Sequence, residues 1–148
     1  MNHPSPFNTS TPGLLVRLVA LAYDSLLLFA VLMLATFPYV IAIGGPPESL
    51  VAKLVLRTWL VLVAIGFFGW FWTHGGQTLG MRAWRLKLVR EDGGPVTWSD
   101  ALKRLAAAVL SLGTAGLGYA WILVDKNSCS WHDRLSHTRV LRLAKIKK

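Results

Sequence analysis

The sequence predicts an all-α membrane protein with two transmembrane helices, a third helical segment interrupted by glycines, and a small cytoplasmic β-hairpin or sheet. Three observations predict this class. Hydrophobic residues make up 53% of the 148-residue chain and charged residues 16%, whereas a soluble domain has about 25% charged residues. The apolar residues are collected in long blocks, which are typical of membrane spans. Lys and Arg stand at the ends of those blocks.

The balance of charge is strongly positive, with 16 Lys and Arg against 7 Asp and Glu and a net charge of +9. Such a balance can indicate nucleic-acid binding, but basic residues that flank apolar blocks favour the anionic headgroups of a lipid bilayer. We therefore expect a lipid partner and no nucleic acid. The single cysteine, Cys129, excludes an intrachain disulfide.

The chain divides into a tail, a membrane domain and a second tail. Residues 1–13 are polar and contain three prolines, a composition that predicts disorder. Residues 144–148 form a short basic tail. Between the tails, residues 14–143 are interpreted as a membrane domain, in which the apolar blocks approach or exceed the roughly 20 residues that a span needs. Helices are predicted at about 14–43, 54–72 and 98–124. Trp59, Trp70 and Trp72, towards the two ends of the second helix, are expected at the membrane interface.

The third apolar block is interrupted, so it can span the membrane or enter and return as a re-entrant hairpin. The interrupting residues are Gly113, Gly116 and Gly118. The segments on its two sides, 73–104 and 125–148, are rich in Lys and Arg, whereas the region between the first two blocks has only Lys53 and Arg57. Because basic loops stay in the cytoplasm, the hairpin is favoured: it puts both segments and the N-terminus there.

Two short stretches, 84–90 and 138–143, alternate apolar and polar side chains in the manner of strands. We expect them to pair as a small sheet at the membrane surface. The spacing of Thr97 and Asp100 predicts a capping box at the start of the third helix.

Two charges stand at the head of the longest apolar run, Arg17 and Asp24 in RLVALAYD. Seven helical residues place both on one face, about 10.5 Å apart along the axis. Helical side chains lean toward the N-terminus, so Arg17 points away from Asp24 and needs another partner. That partner is either a lipid phosphate or the carboxylate of Asp125 or Asp133.

Asp24 also requires a partner, because a carboxylate at the bilayer centre costs about 2.5–3.5 kcal/mol. The candidates are Arg82, Arg104 and Arg134. An ion-paired Asp24 has a structural role. Without a nearby cation, it can carry a proton or a metal cation.

An ordered set of motifs accompanies these charges. It comprises GQTLGMR at 76–82, VREDGGP at 89–95, ALKR at 101–104 and DKNSCSWHDRLSHTRV at 125–140. With Arg17 and Asp24, this set resembles the RDD family of bacterial membrane proteins over residues 14–143. In that family an arginine begins the first membrane helix and an aspartate lies inside it. The second family aspartate is most similar to Asp133, with Asp125 as a further candidate, and KNSCS departs from the usual polar cluster before it.

The resemblance implies an integral, multi-pass protein of the bacterial inner membrane. Transport of a small ligand, or exchange of cations for protons, is the activity that it implies. The alternative is a non-transporting module that assembles with a partner membrane protein. Two or three helices hardly enclose an aqueous path, so a transporter is expected to be a homo-oligomer.

The expected site residues fall into three groups. The family charges are Arg17, Asp24 and Asp133, and the additional candidates are Asp125, His132, Arg104 and Arg134. A structural motif is expected at Gly76, Gln77, Thr78 and Gly80, because glycine permits close backbone approach and the two polar side chains offer hydrogen bonds.

The spacing of His132 and His137 matches no familiar metal motif, so no metal or cofactor is expected. An enzyme is not expected either, since the sequence has no G-x-S-x-G elbow.

Overall fold

The computed structural model describes residues 12–113, 121 and 130–143. The elements in chain order are α1 (Leu14–Ile43), α2 (Leu50–Thr73), α3 (Leu79–Ala83), β1 (Leu86–Arg90), α4 (Trp98–Gly113), α5 (Trp131–Leu135) and β2 (Thr138–Arg142). The prediction of a mostly helical protein with two long apolar helices and a small sheet is confirmed. The predicted tails at 1–13 and 144–148 lie outside the described residues, except for Pro12 and Gly13.

The turn between α1 and α2 is built by a glycine cap and a serine cap. Gly44 ends α1 with a φ of 78°, a left-handed conformation that favours glycine. The amide of Gly45 donates to the carbonyl of Val40 at 3.0 Å. Helix α2 begins at Leu50 rather than at residue 54, because the Ser49 side chain accepts a hydrogen bond from the amide of Ala52 at 3.1 Å.

Helices α1 and α2 pack as an antiparallel pair joined by side-chain hydrogen bonds. The Tyr39 hydroxyl donates to the carbonyl of Ala52 at 2.6 Å, and the Trp59 indole donates to the carbonyl of Ala35 at 3.0 Å. Both helices are long and apolar enough to cross a membrane, and none of the most apolar stretch of either is buried. Exposed apolar faces of this length are suited to lipid.

The two predicted strands pair in antiparallel register, with Leu88 opposite Val140. Backbone bonds extend the ladder at both ends, from the amide of Leu143 to the carbonyl of Arg85 and from the amide of Glu91 to the carbonyl of His137. The predicted pairing is confirmed. Its apolar face is buried against the helices at Leu86, Leu88 and Val140.

Helix α4 starts with the predicted capping box. The amide of Thr97 donates to the Asp100 carboxylate at 3.0 Å, and the amide of Asp100 donates to the Thr97 hydroxyl at 3.3 Å. The helix is described to Gly113; the rest of the predicted 98–124 segment lies outside the described residues except for Trp121. The choice between a spanning and a re-entrant segment falls on those residues.

The core lies at one end of the helix pair, where α1 begins and α2 ends. Its buried members are Ala20, Trp72, Met81, Leu86, Leu88, Val96, Ala101 and Val140. Trp72 was expected at the membrane interface with Trp59 and Trp70, but it is buried in this cluster, whereas Trp70 is exposed. This end therefore gathers residues of the two long helices, α3, α4 and both strands around one packed centre.

Candidate functional site

The site begins on one face of α1. Arg17, Ala20 and Asp24 are the buried residues of that helix, and their spacing of three and four positions places them in one stripe. The two charged residues face different partners. Arg17 reaches an ion pair near the C-terminal end of the described chain, and Asp24 meets the loop that follows α2.

Asp24 is bound by two uncharged donors. The Thr78 hydroxyl donates to its Oδ2 atom, and the amide of Gly80 donates to Oδ1 at 2.8 Å. Thr78 also accepts a hydrogen bond from the amide of Met81 at 3.2 Å, which caps α3. The carboxylate is 3% exposed. Among the described residues, no Lys, Arg or His lies within ion-pair distance of it.

The GQTLG segment brings these donors to α1. The Gly76 backbone has a φ of 72°, and the amide of Leu88 donates to its carbonyl at 2.7 Å. Gln77 donates through Nε2 to the carbonyl of Leu86 at 2.5 Å. A Cβ at Gly80 would overlap the carbonyl of Ala20 and lie 2.9 Å from the Asp24 carboxylate. Glycine is therefore required for the close approach of α3 to α1.

A buried charge cluster forms beside this contact, with Asp133 at its centre. Nη1 of Arg17 donates to Oδ2 of Asp133 at 2.6 Å, and Nη1 of Arg104 donates to Oδ1 at 2.6 Å. All three residues are buried: Arg17 is 7% exposed, Arg104 is 6% exposed and Asp133 is 1% exposed. Charge-assisted hydrogen bonds of this length are strong. They join α1, α4 and α5 at a single carboxylate.

Hydroxyl groups complete the surroundings of Asp133. The amide of Ser130 donates to its Oδ2 atom at 3.1 Å, and the Ser130 hydroxyl accepts from the amide of Asp133 at 3.4 Å, a capping box for α5. Nη1 of Arg104 also donates to the Thr138 hydroxyl at 3.0 Å, and that hydroxyl lies 2.7 Å from the Ser136 hydroxyl. All three hydroxyl residues are buried.

The two carboxylates of the site therefore differ electrostatically. In the described part of the chain, Asp133 contacts two guanidinium groups, whereas the hydrogen-bond donors to Asp24 are neutral. The Arg104 guanidinium is further placed over the Trp72 ring, 5.5 Å from its centroid, a cation–π contact. Since a charge removed from water needs compensation, Asp133 is the carboxylate that the described cations compensate, and Asp24 is the one that they do not.

An open cavity of about 720 Å³ lies between α1, α2 and α4. Arg17, Asp24 and Arg104 are its charged lining residues, and most of the remaining lining is apolar. The apolar part of the wall includes Ala64, Ile65, Phe68, Leu105 and Val109. A cavity of this size with a few polar groups suits a small organic ligand.

Three expected site residues, Arg17, Arg104 and Asp133, meet in one cluster, and Asp24 lies on the same cavity. Of the two partners considered for Arg17, the structure contains the carboxylate of Asp133. Of the two alternatives for Asp24, the described residues fit the one without a nearby cation: Thr78 and Gly80 bind its oxygens, and none of the candidates Arg82, Arg104 and Arg134 forms an ion pair with it. The Arg134 side chain is exposed on α5. Asp125 and the side chain of His132 lie outside the described residues.

Sequence reasoning missed the hydroxyl residues around Asp133. Ser130 stands three positions before Asp133, which is the spacing of a capping box, so a signal for it was present. Ser136 and Thr138 had no such signal, because their roles arise from the turn into β2.

Asp100, near the edge of the core, is a titratable group outside the two spans. Burial on its own raises the pKa of its carboxyl, but hydrogen bonds from Thr97 and the charges of Arg90 and Lys103 outweigh burial and hold that pKa below its ordinary value. Nε of Arg90 lies 3.6 Å from Oδ2 of Asp100. The carboxylate thus stabilises the junction between β1 and α4.

Comparisons with known proteins identify the family of this chain. No curated protein and no solved structure matches the chain at significant similarity. A family model for the RDD family matches residues 11–137, a range that contains Arg17, Asp24, Arg104 and Asp133. The chain therefore belongs to the RDD family and is a membrane protein with two candidate membrane spans.

Proposed function

We propose that this protein binds a small ligand in the cavity between α1, α2 and α4 and transports it. The observation that carries the proposal is the cavity itself, about 720 Å³ of mainly apolar space with Arg17, Asp24 and Arg104 on its wall. Ligand pockets have volumes of about 300–1,000 Å³ and few, convergent polar groups. A few charges on an apolar wall are suited to orienting an organic molecule.

Exchange of cations for protons is a second candidate, and Asp24 supports it. Both hydrogen-bond donors to its carboxylate are neutral, so a proton or a cation would compensate a charge that the described residues leave unpaired. A bare metal cation usually takes about six oxygen ligands, and the mainly apolar wall offers few. A small organic ligand therefore fits the cavity better.

The proposal extends to assembly and orientation. Two candidate spans can hardly enclose a transport path, so we propose that copies of the chain, or a partner membrane protein, complete it. We place the end with the charge cluster at the cytoplasmic surface of a bacterial inner membrane. Basic residues support this placement, since β1 and β2 carry Lys87, Arg90, Arg139 and Arg142, and such residues favour the cytoplasmic side and anionic headgroups. We propose no enzymatic step.

Binding and transport can be tested with a dansyl-labelled alkyl amphiphile. Purified protein in nanodiscs should bind it saturably, and Ala64→Phe, which places a phenyl ring inside the cavity, should weaken or block binding. Ala22→Phe is the matched control, because Ala22 is exposed on α1 and does not line the cavity. Proteoliposomes should then move the probe across the bilayer at a rate that Ala64→Phe also reduces.

Each outcome distinguishes the candidates. Absence of saturable binding by the unaltered protein would refute the ligand-binding proposal. Binding without movement would favour the non-transporting module. Sodium- or potassium-driven proton movement that Asp24→Asn abolishes and Ala64→Phe leaves intact would favour cation exchange.

A further inference from the structure

We propose that the ligand of the cavity is a zwitterionic single-chain amphiphile, with its phosphate or carboxylate bound by Arg104, its ammonium group bound by Asp24, and its chain lying along α2 and α4. This inference rests on the proposed function and names its ligand class. It is carried by two charged groups of opposite sign on the wall of a single apolar cavity.

The anion-binding end is the unused part of the Arg104 guanidinium. A guanidinium has five N–H donors, and the described contacts of Arg104 with Asp133 and Thr138 use Nη1 alone. Its Nε and Nη2 atoms make no hydrogen bond to any residue in the described part of the chain. The side chain is 8% exposed and lines the cavity, so these donors are held in place where an oxyanion can meet them.

The cation-binding end is Asp24. Each carboxylate oxygen has two acceptor positions, and each oxygen of Asp24 accepts one hydrogen bond from a neutral donor. An ammonium group can therefore add to the carboxylate without displacing Thr78 or Gly80. It would supply the positive charge that the described residues do not place beside Asp24.

The charge balance of the site favours a ligand with no net charge. Among the described residues of the site, Arg17 and Arg104 carry two positive charges and Asp24 and Asp133 carry two negative charges, so these four residues are formally neutral before a ligand binds. A singly charged ligand would leave one uncompensated charge in a poorly solvated cavity, which is costly. A zwitterion can pair with both ends and leave the site neutral.

The apolar wall requires that the ligand also carry an apolar part. Ile65 and Phe68 from α2 and Leu105 and Val109 from α4 line the space beside the charged groups. A chain lying along them would remove apolar surface from water at about 25 cal/mol per Å². A headgroup compound without a chain would gain no free energy from burial of apolar surface, so it is expected to bind far more weakly.

Native mass spectrometry of the full protein in nanodiscs tests the ligand class. The probes are lysophosphatidylethanolamine, lysophosphatidic acid, dodecylamine, a monoacylglycerol and chain-free phosphoethanolamine. The expected preference is about tenfold or more for lysophosphatidylethanolamine over each of the others, the size of one hydrogen bond to a charged group. Equal or tighter binding of the anionic, the cationic or the uncharged chain compound would overturn the inference. Binding of chain-free phosphoethanolamine equal to that of its lysolipid would overturn it as well.

Charge variants test the roles of the two ends. Asp24→Asn should move the preference toward lysophosphatidic acid, and Arg104→Gln should move it toward dodecylamine. Asp92→Asn and Lys103→Gln are the matched controls, because they remove the same charges from residues that do not line the cavity. If Arg104→Gln fails to fold, the order of affinities that the unaltered protein shows for the probes still tests the ligand class.

This test separates the two proposals. Saturable binding of some chain-bearing probe, blocked by Ala64→Phe but without the zwitterionic preference, would overturn the ligand class and leave the proposed function standing. Absence of binding for every probe, the dansyl amphiphile included, would overturn both.

Discussion

Nη1 of Arg17 donates to Oδ2 of Asp133 at 2.6 Å, although 116 positions separate the two residues in the sequence. The pair ties the start of the first membrane helix to the short helix that precedes the last strand. Arg104 binds the other oxygen of the same carboxylate. Loss of Asp133 would therefore remove the carboxylate that these two buried guanidinium groups share.

Asp133→Asn should destabilise the protein by about 3–5 kcal/mol, the usual effect of removing one partner of a buried ion pair. Unfolding in detergent micelles by denaturant titration would measure the change. Asp92→Asn is the control, since the ion pair of Asp92 with Arg90 is largely exposed and such pairs contribute about 0–1 kcal/mol. Equal stability of the two variants would contradict a structural role for the cluster.

Gly80→Ala should destabilise the contact between α1 and α3. The added Cβ would overlap a backbone carbonyl of α1, which cannot move as a side-chain tip can, and overpacking of this kind costs about 1–3 kcal/mol. Gly66→Ala is the matched control, because a Cβ there meets nothing within 4 Å. Thermal unfolding should show a lower midpoint for Gly80→Ala alone. The close packing of α3 would be refuted if both variants melted together.

Thr78→Val should destabilise the protein by about 1–3 kcal/mol, because it leaves the buried Asp24 carboxylate without one donor and α3 without its cap. Thr78→Ser keeps the hydroxyl and should retain most of the stability. Denaturant titrations of the two variants would give the difference. A serine variant as unstable as the valine variant would show that the methyl group, and not the hydroxyl, matters.

Asp100 should make stability depend on pH in the acid range. Its pKa is lower in the folded state than its ordinary value, so its contribution is fully present above about pH 4 and is lost as the pH falls through the folded value. The stability difference between the unaltered protein and Asp100→Asn should therefore shrink below about pH 4. Glu48→Gln, at an exposed position, serves as the control. A difference that stayed constant across this range would contradict the prediction.

The fold followed from the sequence wherever periodicity and composition decide the structure. Helix α1 covers the expected 14–43 because its apolar run is continuous and Gly44 ends it. The strands were predicted from alternating apolar and polar side chains, and the capping box of α4 was predicted from the spacing of Thr97 and Asp100. These are local signals, and the described structure contains each of them.

The hydrogen-bond partners of Asp24 were not predicted, because its expected partners were all arginines. Thr78 and a backbone amide satisfy the carboxylate, and neither has a charge signature in the sequence. The position of Gly80 depends on how the loop after α2 folds against α1, a tertiary contact that no local pattern reports. Trp72 was misplaced for the same reason: its burial follows from packing under Arg104, not from its position at a helix end.

Hydrogen-bonded strands cannot be separated by a bilayer, and this restricts the path of the chain between β1 and β2. Neighbouring strands lie about 4.8 Å apart, whereas the hydrocarbon layer is about 30 Å thick. We therefore expect the chain to make an even number of crossings, or none, between Arg90 and Thr138. With Cys129→Ser as the background, single cysteines at positions 92 and 139 should react with an impermeant maleimide from the same face of the membrane; labelling from opposite faces would rule out the paired sheet.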